Sequence, residues 1–510
     1  MPFLIHHFLE RSADRFADKQ ALVHGKTRQS YGEIEKNANK IARGLIKKGL
    51  EKGERVALLL RNSPEYVALY YGILKSGGVV VPINTGIETE EVTNIVSDAA
   101  PRFFITEKHF LETVAVLLNN PKTPIKETLL SDVDEPAEEF SGPCSTLSAL
   151  YRDNASNRVD LPIIDMDLSS IIYTSGSTGK PKGVMLTHRN IVCNTRSILA
   201  YLKLTSDDRC MVVLPFYYVY GKTLLNLHFF VGGSIVIDNR FTFPNAVLKT
   251  MISEKVTGFA GVPSTFSILF NKSSIRKMDF PDLRYLTQAG GHMPTETKTA
   301  LLERFPNKQI FVMYGATEAS ARLSYLPPDL LREKIASIGV PIPNVAMKVV
   351  KPDGTEAPIG VEGEIVARGS NIMSGYWKNP EETQSALKAG WYHTGDLGHR
   401  DKDGYFFVTG RKKELIKTGI HKVSPKEIEE ILYRHPDIFE AAVIGKPDET
   451  LGEAIKACIV LHKNASARTE EIIAHCETYL PLYKIPQEIE LMQTLPKNES
   501  GKILKQKLIQ

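Results

Sequence analysis

The chain is 510 residues long, with 42% hydrophobic and 24% charged residues and a formal net charge of +4. That length exceeds what one hydrophobic core supports, so two or more domains are expected. The small charge, with short basic clusters only after Gly410 (Arg411, Lys412, Lys413, Lys417) and at the C-terminus, argues against a nucleic-acid binder.

Residues 1–16 mix apolar side chains with charges and read as an amphipathic helix, not a signal peptide. Apolar spacing predicts a helix over 31–50, a buried strand over 55–60, a helix over 63–74 and a strand over 78–82. Further strands are expected at 169–173, 211–214, 234–237 and 309–313, and such alternation is the pattern of parallel α/β layers. Residues 120–160, rich in Pro, Ser, Asp and Glu, read as an exposed connection. From about Ile338 the texture changes to short β runs (346–350, 363–368, 405–408), a barrel-like subdomain. Beyond the charged stretch 410–419, a helix is expected over 424–434, with Ser424 as N-cap and Pro425 in the first turn. Strands at 439–444 and 456–461 and a helix at 470–480 complete a small α/β unit. The fold class is therefore α/β (α+β overall), with domains 1–411 and 412–510.

Five cysteines (Cys144, Cys193, Cys210, Cys458, Cys476) without a CxxC pair argue against a disulfide framework or zinc site and fit a reducing compartment. No apolar stretch reaches the ~20 residues a membrane span needs. Leu508-Ile509-Gln510 is not a peroxisomal address. A cytoplasmic location is expected.

The strongest local signal is Tyr173-Thr-Ser-Gly-Ser-Thr-Gly-Lys-Pro-Lys-Gly183, directly after apolar Ile171-Ile172. A strand running into Thr174, Ser175, Gly176, Ser177, Thr178, Gly179 and Lys180 offers backbone N–H groups, hydroxyls and ammonium charge to anionic oxygens. It is not a Walker A loop, because Lys180 precedes a proline and Thr174 stands where Walker spacing needs glycine. Further stretches follow: Tyr314-Gly-Ala-Thr-Glu318, Tyr392-His-Thr-Gly-Asp396, Gly410-Arg411 with Lys413, and Pro496-Lys-Asn-Glu-Ser-Gly-Lys502. In this order they resemble the signatures of the adenylate-forming superfamily of acyl-CoA synthetases, adenylation enzymes and luciferases, over essentially the whole chain.

The resemblance implies ATP and Mg²⁺ as cofactors and acyl-adenylate formation, in which an anionic acid meets an anionic triphosphate and charge neutralisation dominates. Glu318 resembles the Mg²⁺ residue, with Thr178 as a second metal residue, and Thr317 beside Glu318 and Thr178 would bind phosphate. Asp396 and Arg411 resemble the ribose partners; Tyr314, Gly315, Ala316, Gly290 and Gly291 would frame the adenine and nucleotide. Lys502 resembles the lysine that bridges carboxylate and α-phosphate. Lys413 resembles the hinge about which the small domain turns to present the Gly419 loop for thioester formation.

Amino-acid-activating relatives carry an aspartate where this chain reads Leu214-Pro-Phe-Tyr-Tyr-Val-Tyr-Gly221, so an α-amino acid is disfavoured. Tyr218 stands where acyl-CoA synthetases often have histidine. Gly315 stands where acetate-specific relatives have tryptophan, implying a larger acyl or aryl acid. Phe216, Tyr217, Tyr218, Tyr220, Phe259, Val262 and Met313 are the expected acid-pocket wall. The leading reading is an acid–thiol ligase using coenzyme A and releasing AMP and pyrophosphate. The alternatives are a ligase loading an acyl carrier protein's phosphopantetheine thiol, a luciferase-like oxygenase, and a non-catalytic nucleotide-binding relative; a homodimer is compatible with the sequence.

Overall fold

The computed structural model describes residues 2–120, 123–135, 143–174, 181–463, 465–497 and 503–509. The expected alternation is present. The helix Tyr31–Lys47 starts at Ser30, whose side chain accepts from the Glu33 backbone while Glu33 reaches back, and it buries Ile34, Ala38, Ile41 and Leu45 on one face. It packs against the helix Pro64–Lys75, capped by Ser63. The two long sheets that these and other helices cover are mainly parallel. One has nine strands, with a parallel run through Gly258–Gly261, Tyr285–Gln288 and Gln309–Tyr314. The other has eight and contains Leu168–Thr174 hairpinned to Lys182–Thr187.

Two expectations need correction here. The stretch 120–160 is not only a connection: Glu127–Leu130 and Cys144–Thr146 add parallel strands to the edge of the eight-stranded sheet, and Leu147–Asp153 is helical. The strand expected at 405–408 is Phe406–Arg411, so Arg411 sits in the ladder opposite Asp396. The barrel-like subdomain takes the form of a five-stranded antiparallel sheet, including Val345–Val350, Gly363–Gly369 and Trp391–Arg400.

The smaller C-terminal domain has its own five-stranded sheet. Its core of Ile416, Val423, Ile428, Leu432, Val443, Ile455 and Ile472 lies between that sheet and the helices Pro425–Tyr433 and Thr469–Tyr479. Ser424 does not cap the first of these helices by its side chain. Its hydroxyl donates instead to the Thr409 carbonyl (2.6 Å), and Lys426 Nζ donates to the Val408 carbonyl. The helix start is thus spent on docking the small domain against the strand that leads into it. Among the described residues no helix is long and apolar enough to cross a membrane.

Candidate active site

Parallel strands aim their carboxyl ends, and the loops that leave them, at one edge of the sheet, where α/β folds bind ligands. Tyr285–Gln288 runs into Gly290-Gly291, and Gln309–Tyr314 runs into a single tight turn, Thr317–Ala319. Gly290 has a φ of +87°, and a Cβ there would stand 3.0 Å from Val262, so the exposed ledge favours glycine. Gln288 Nε2 holds it by donating to the Gly291 carbonyl (2.8 Å).

Asp396 is the centre of the polar cluster facing this edge. It is buried, its Oδ1 accepts from Arg411 Nε (2.7 Å), and its Oδ2 accepts from the Tyr314 hydroxyl (2.5 Å). Burial and the Asp396 charge hold the Tyr314 phenol well above its ordinary value, so it stays the donor. Burial pulls the Arg411 guanidinium down, but the Asp396 carboxylate more than offsets this and keeps it charged. Sequence separations of 82 and 15 residues are thereby collapsed into one carboxylate with two donors.

Glu318 lies in the Thr317–Ala319 turn, with Ala316 ahead of it; its Oε1 accepts from the Tyr376 hydroxyl (2.9 Å) and its carbonyl from Met373 N–H (2.8 Å). Burial and the Glu318 charge raise the Tyr376 phenol. Lys182 sits 5.6 Å from the Tyr376 ring centroid and pairs with Glu382 (2.7 Å). A carboxylate held this way is a hard oxygen donor of the kind Mg²⁺ takes together with phosphate oxygens and water. Tyr376 was not foreseen, because a tyrosine 58 residues from its partner leaves no local pattern. Thr174 ends its strand with Oγ1 against the Lys182 carbonyl (3.5 Å). Ser175, Gly176, Ser177, Thr178, Gly179 and Lys180 lie outside the described residues, as does Lys502. Lys497 pairs with Ile503, and its Nζ contacts Glu440.

The expected acid-pocket wall divides. Tyr220 and Met313 line one small cavity of about 10 Å³, room for no more than a water, and the Tyr220 hydroxyl and Thr287 Oγ1 are hydrogen-bonded (2.9 Å). Val262 packs on the same core face. Tyr217 and Tyr218 stack obliquely (4.7 Å between centroids), with Asn84 donating to the Tyr218 hydroxyl (3.3 Å). Phe216 is buried against Tyr66, 5.4 Å away. Phe259 is misassigned. Side chains alternate along a strand, so Ala260 faces the core shared with Tyr220 and Met313, while Phe259 faces the opposite core with Phe266 and Leu286. Gly315 also has a different reason from the one expected. A Cβ there would lie 1.8 Å from the Ala321 carbonyl oxygen, so backbone, not open space, requires the glycine.

The small domain meets the ledge directly: His292, next to Gly291, contacts Glu430 of the helix Pro425–Tyr433. Lys413 follows Arg411 by two residues and acts electrostatically on Glu382. Gly419 occupies the turn between Ile416–Thr418 and His421–Val423 with a φ of +57°, and the adjoining Ile420 is 95% exposed.

A model of the AMP-binding enzyme family matches residues 9–377, and one of the AMP-binding enzyme C-terminal domain matches 427–502. The chain belongs to the AMP-binding enzyme family. It is similar to curated proteins along nearly its whole length. A long-chain-fatty-acid–CoA ligase of Bacillus subtilis is 32% identical, over 99% of this chain and 94% of that enzyme. A feruloyl-CoA synthase of Amycolatopsis is 34% identical, over 95% and 94%. Among solved structures, the anthranilate CoA ligase AuaEII in complex with anthranoyl-AMP superposes with a TM-score of 0.91 at 27% identity, covering 100% of this chain and 97% of that one. The o-succinylbenzoate CoA synthetase of Bacillus subtilis, bound to ATP and magnesium, gives 0.84 at 26% identity, with 98% of each chain covered.

Proposed function

We propose that this AMP-binding enzyme is an AMP-forming acid–CoA ligase acting on a carboxylic acid that is larger than acetate and is not an α-amino acid. The observation that carries the reading is the convergence of Asp396, Arg411 and Tyr314 beside the Gly290 ledge and the Glu318 turn. A buried carboxylate with fixed donors suits a ribose diol, and a glycine ledge suits a flat base. Glu318 would hold Mg²⁺ together with Thr178, and the ion would neutralise phosphate charge. An oxygen of the acid attacks the α-phosphorus, the bond to the β-phosphate oxygen breaks, and pyrophosphate leaves. Lys502 would neutralise the two anions as they approach. The thiolate sulfur of coenzyme A then attacks the acyl carbon, and AMP departs with the C–O electrons.

Coenzyme A is favoured as acceptor because relatives named for fatty, feruloyl and anthranilate acids all use it. Their acids differ, so they do not identify this one. The residues 412–510 form the moving unit in this reading, with Lys413 as hinge. Swinging them would carry the Gly419 turn and its exposed Ile420 toward the adenylate. The test is pyrophosphate release from ATP with a panel of acids, repeated with coenzyme A and with a phosphopantetheinylated carrier protein. Acid-dependent release followed by coenzyme A thioester supports the reading; thioester on the carrier alone would replace the acceptor.

A further inference from the structure

Glu430 belongs to the small domain, but its hydrogen-bond partner belongs to the large one. It projects from the helix Pro425–Tyr433, and its Oε1 contacts Nε2 of His292, the residue after Gly291 on the nucleotide ledge. Burial pushes its carboxyl up, but the hydrogen bond from His292 and the charges of His292, Lys298 and Lys426 outweigh this and hold it below its ordinary value. An ionised carboxylate only accepts, so the imidazole donates from Nε2.

Lys298 deepens the link. It lies on the large-domain helix Thr295–Arg304, is 3% exposed, and donates from Nζ to the Ile335 carbonyl (2.6 Å). Burial pulls its amine to about 8, and Glu430 is foremost among the charges that oppose the pull. A buried cation of one domain is thus supported by an anion of the other.

Further ties between the domains sit elsewhere. Ser424 donates to the Thr409 carbonyl (2.6 Å), Lys426 Nζ donates to the Val408 carbonyl, and Lys412 pairs with Glu364 (3.6 Å). Each has a partner within five residues of Lys413, on the strand Phe406–Arg411 or directly after it. The Glu430 contact instead joins the small domain to the loop after Tyr285–Gln288, where the adenine would lie in the reading above. Lys426 and Glu430 stand one turn apart on one helix face, so that face runs from the hinge strand to the ledge. In this arrangement the Gly419 turn is not inserted in the site, since Ile420 is 95% exposed.

We propose that Glu430 is a positioning residue: with His292 it latches the small domain to the nucleotide ledge for acyl-adenylate formation, and the latch opens before the thioester forms. The inference rests on the acid-activation and hinge reading above. A contact present in only one of two arrangements shifts their balance by its own free energy and no more. The His292 and Glu430 side chains are 31% and 22% exposed. For a partly exposed hydrogen bond to a charged group the shift is a factor of ~10. Glu430 acts through His292, so its loss should redistribute the two half-reactions and abolish neither.

The test measures the half-reactions separately, as acid-dependent pyrophosphate exchange into ATP and as thioester formation from supplied acyl-adenylate and coenzyme A. Glu430→Ala should raise the ratio of the second rate to the first by ~10-fold. Glu430→Gln, whose amide oxygen still accepts, should recover part of the wild-type ratio. His292→Ala should shift the ratio the same way, and the double variant no further than the larger single one. Tryptic cleavage at Lys412, Lys413 and Lys417 gives a readout free of activity. It should quicken several-fold in Glu430→Ala, because the small domain is released more often. An unchanged ratio in Glu430→Ala, cleavage no faster than in the wild type, or single effects that add in the double variant would each overturn the proposal. A wild type that shows no exchange with any acid would instead strike the acid-activation reading, and the cleavage comparison would still decide whether the domains are latched. Should Glu430→Ala fail to fold, Glu430→Gln and His292→Ala decide the matter.

Discussion

Two buried charged side chains, Asp396 and Arg322, are accommodated in opposite ways. At Asp396 the carboxylate already has Arg411 and Tyr314 as donors, so the group is neutralised and oriented before any ligand arrives. At Arg322 the guanidinium stacks on the Tyr220 ring and, among the described residues, has no carboxylate within ion-pair distance. The first arrangement is preorganised and would present the same surface to every ATP molecule. The second leaves a buried cation eased only by an aromatic ring and neutral neighbours, which costs stability.

The most damaging change to the nucleotide side should be Lys502→Ala. It should lower acid-dependent pyrophosphate exchange by about 10³-fold, while thioester formation from supplied acyl-adenylate survives. Equal loss of both half-reactions would remove Lys502 from the first step. Lys413→Pro should give the opposite split, because a stiffened hinge holds the small domain in one arrangement; unimpaired overall turnover would count against a hinge there.

Asp396→Ala should raise the KM for ATP by about 10²-fold, since it strands a buried guanidinium and a phenol as well as removing the carboxylate. The KM for the acid should move far less. Were both to rise together, the two sides would not be separable. Tyr376→Phe is subtler. Losing one hydrogen bond to Glu318 should raise the Mg²⁺ concentration for half-maximal exchange by about 10-fold, read from a metal titration at saturating ATP.

The smallest effect on rate, and one on stability alone, belongs to Lys222. Its folded-state amine titrates at about 7, below the ordinary lysine range, because of burial. Between that pH and the unfolded value the unfolded chain binds a proton that the folded chain does not, so stability from this group rises with pH over the window. Below about 7 the penalty is at its full size. Lys222→Met should therefore raise stability at pH 7 by ~1–4 kcal/mol and flatten the rise in melting temperature between pH 7 and 9. An unchanged slope would mean that Lys222 is not the titrating group.

Much of this molecule could be read from its residues, for identifiable reasons. The helix Tyr31–Lys47 announces itself by its Ser30–Glu33 cap and apolar spacing, and Ser234–Ile237 by an uninterrupted buried run. What was hidden depends on contacts between distant segments. Polar composition over 120–160 concealed two edge strands, because short runs such as Glu127–Leu130 gain their order from the neighbouring strand. Ser424 has the chemistry of a cap but finds Thr409 instead. Phe259 has the bulk of a pocket wall, but strand alternation turns it to the other core. Tyr376 and Arg322 carry no local signature. The one hint for Arg322 was a lone charge among small and apolar residues, Ala319-Ser-Ala-Arg-Leu323, four positions beyond Glu318.

Charge neutralisation between two anions is the central claim, and labelled pyrophosphate exchange into ATP tests it most directly. The account predicts exchange that requires both Mg²⁺ and a carboxylic acid and that falls away in Lys502→Ala. Exchange absent with every acid offered, or equally fast with no acid present, would contradict it.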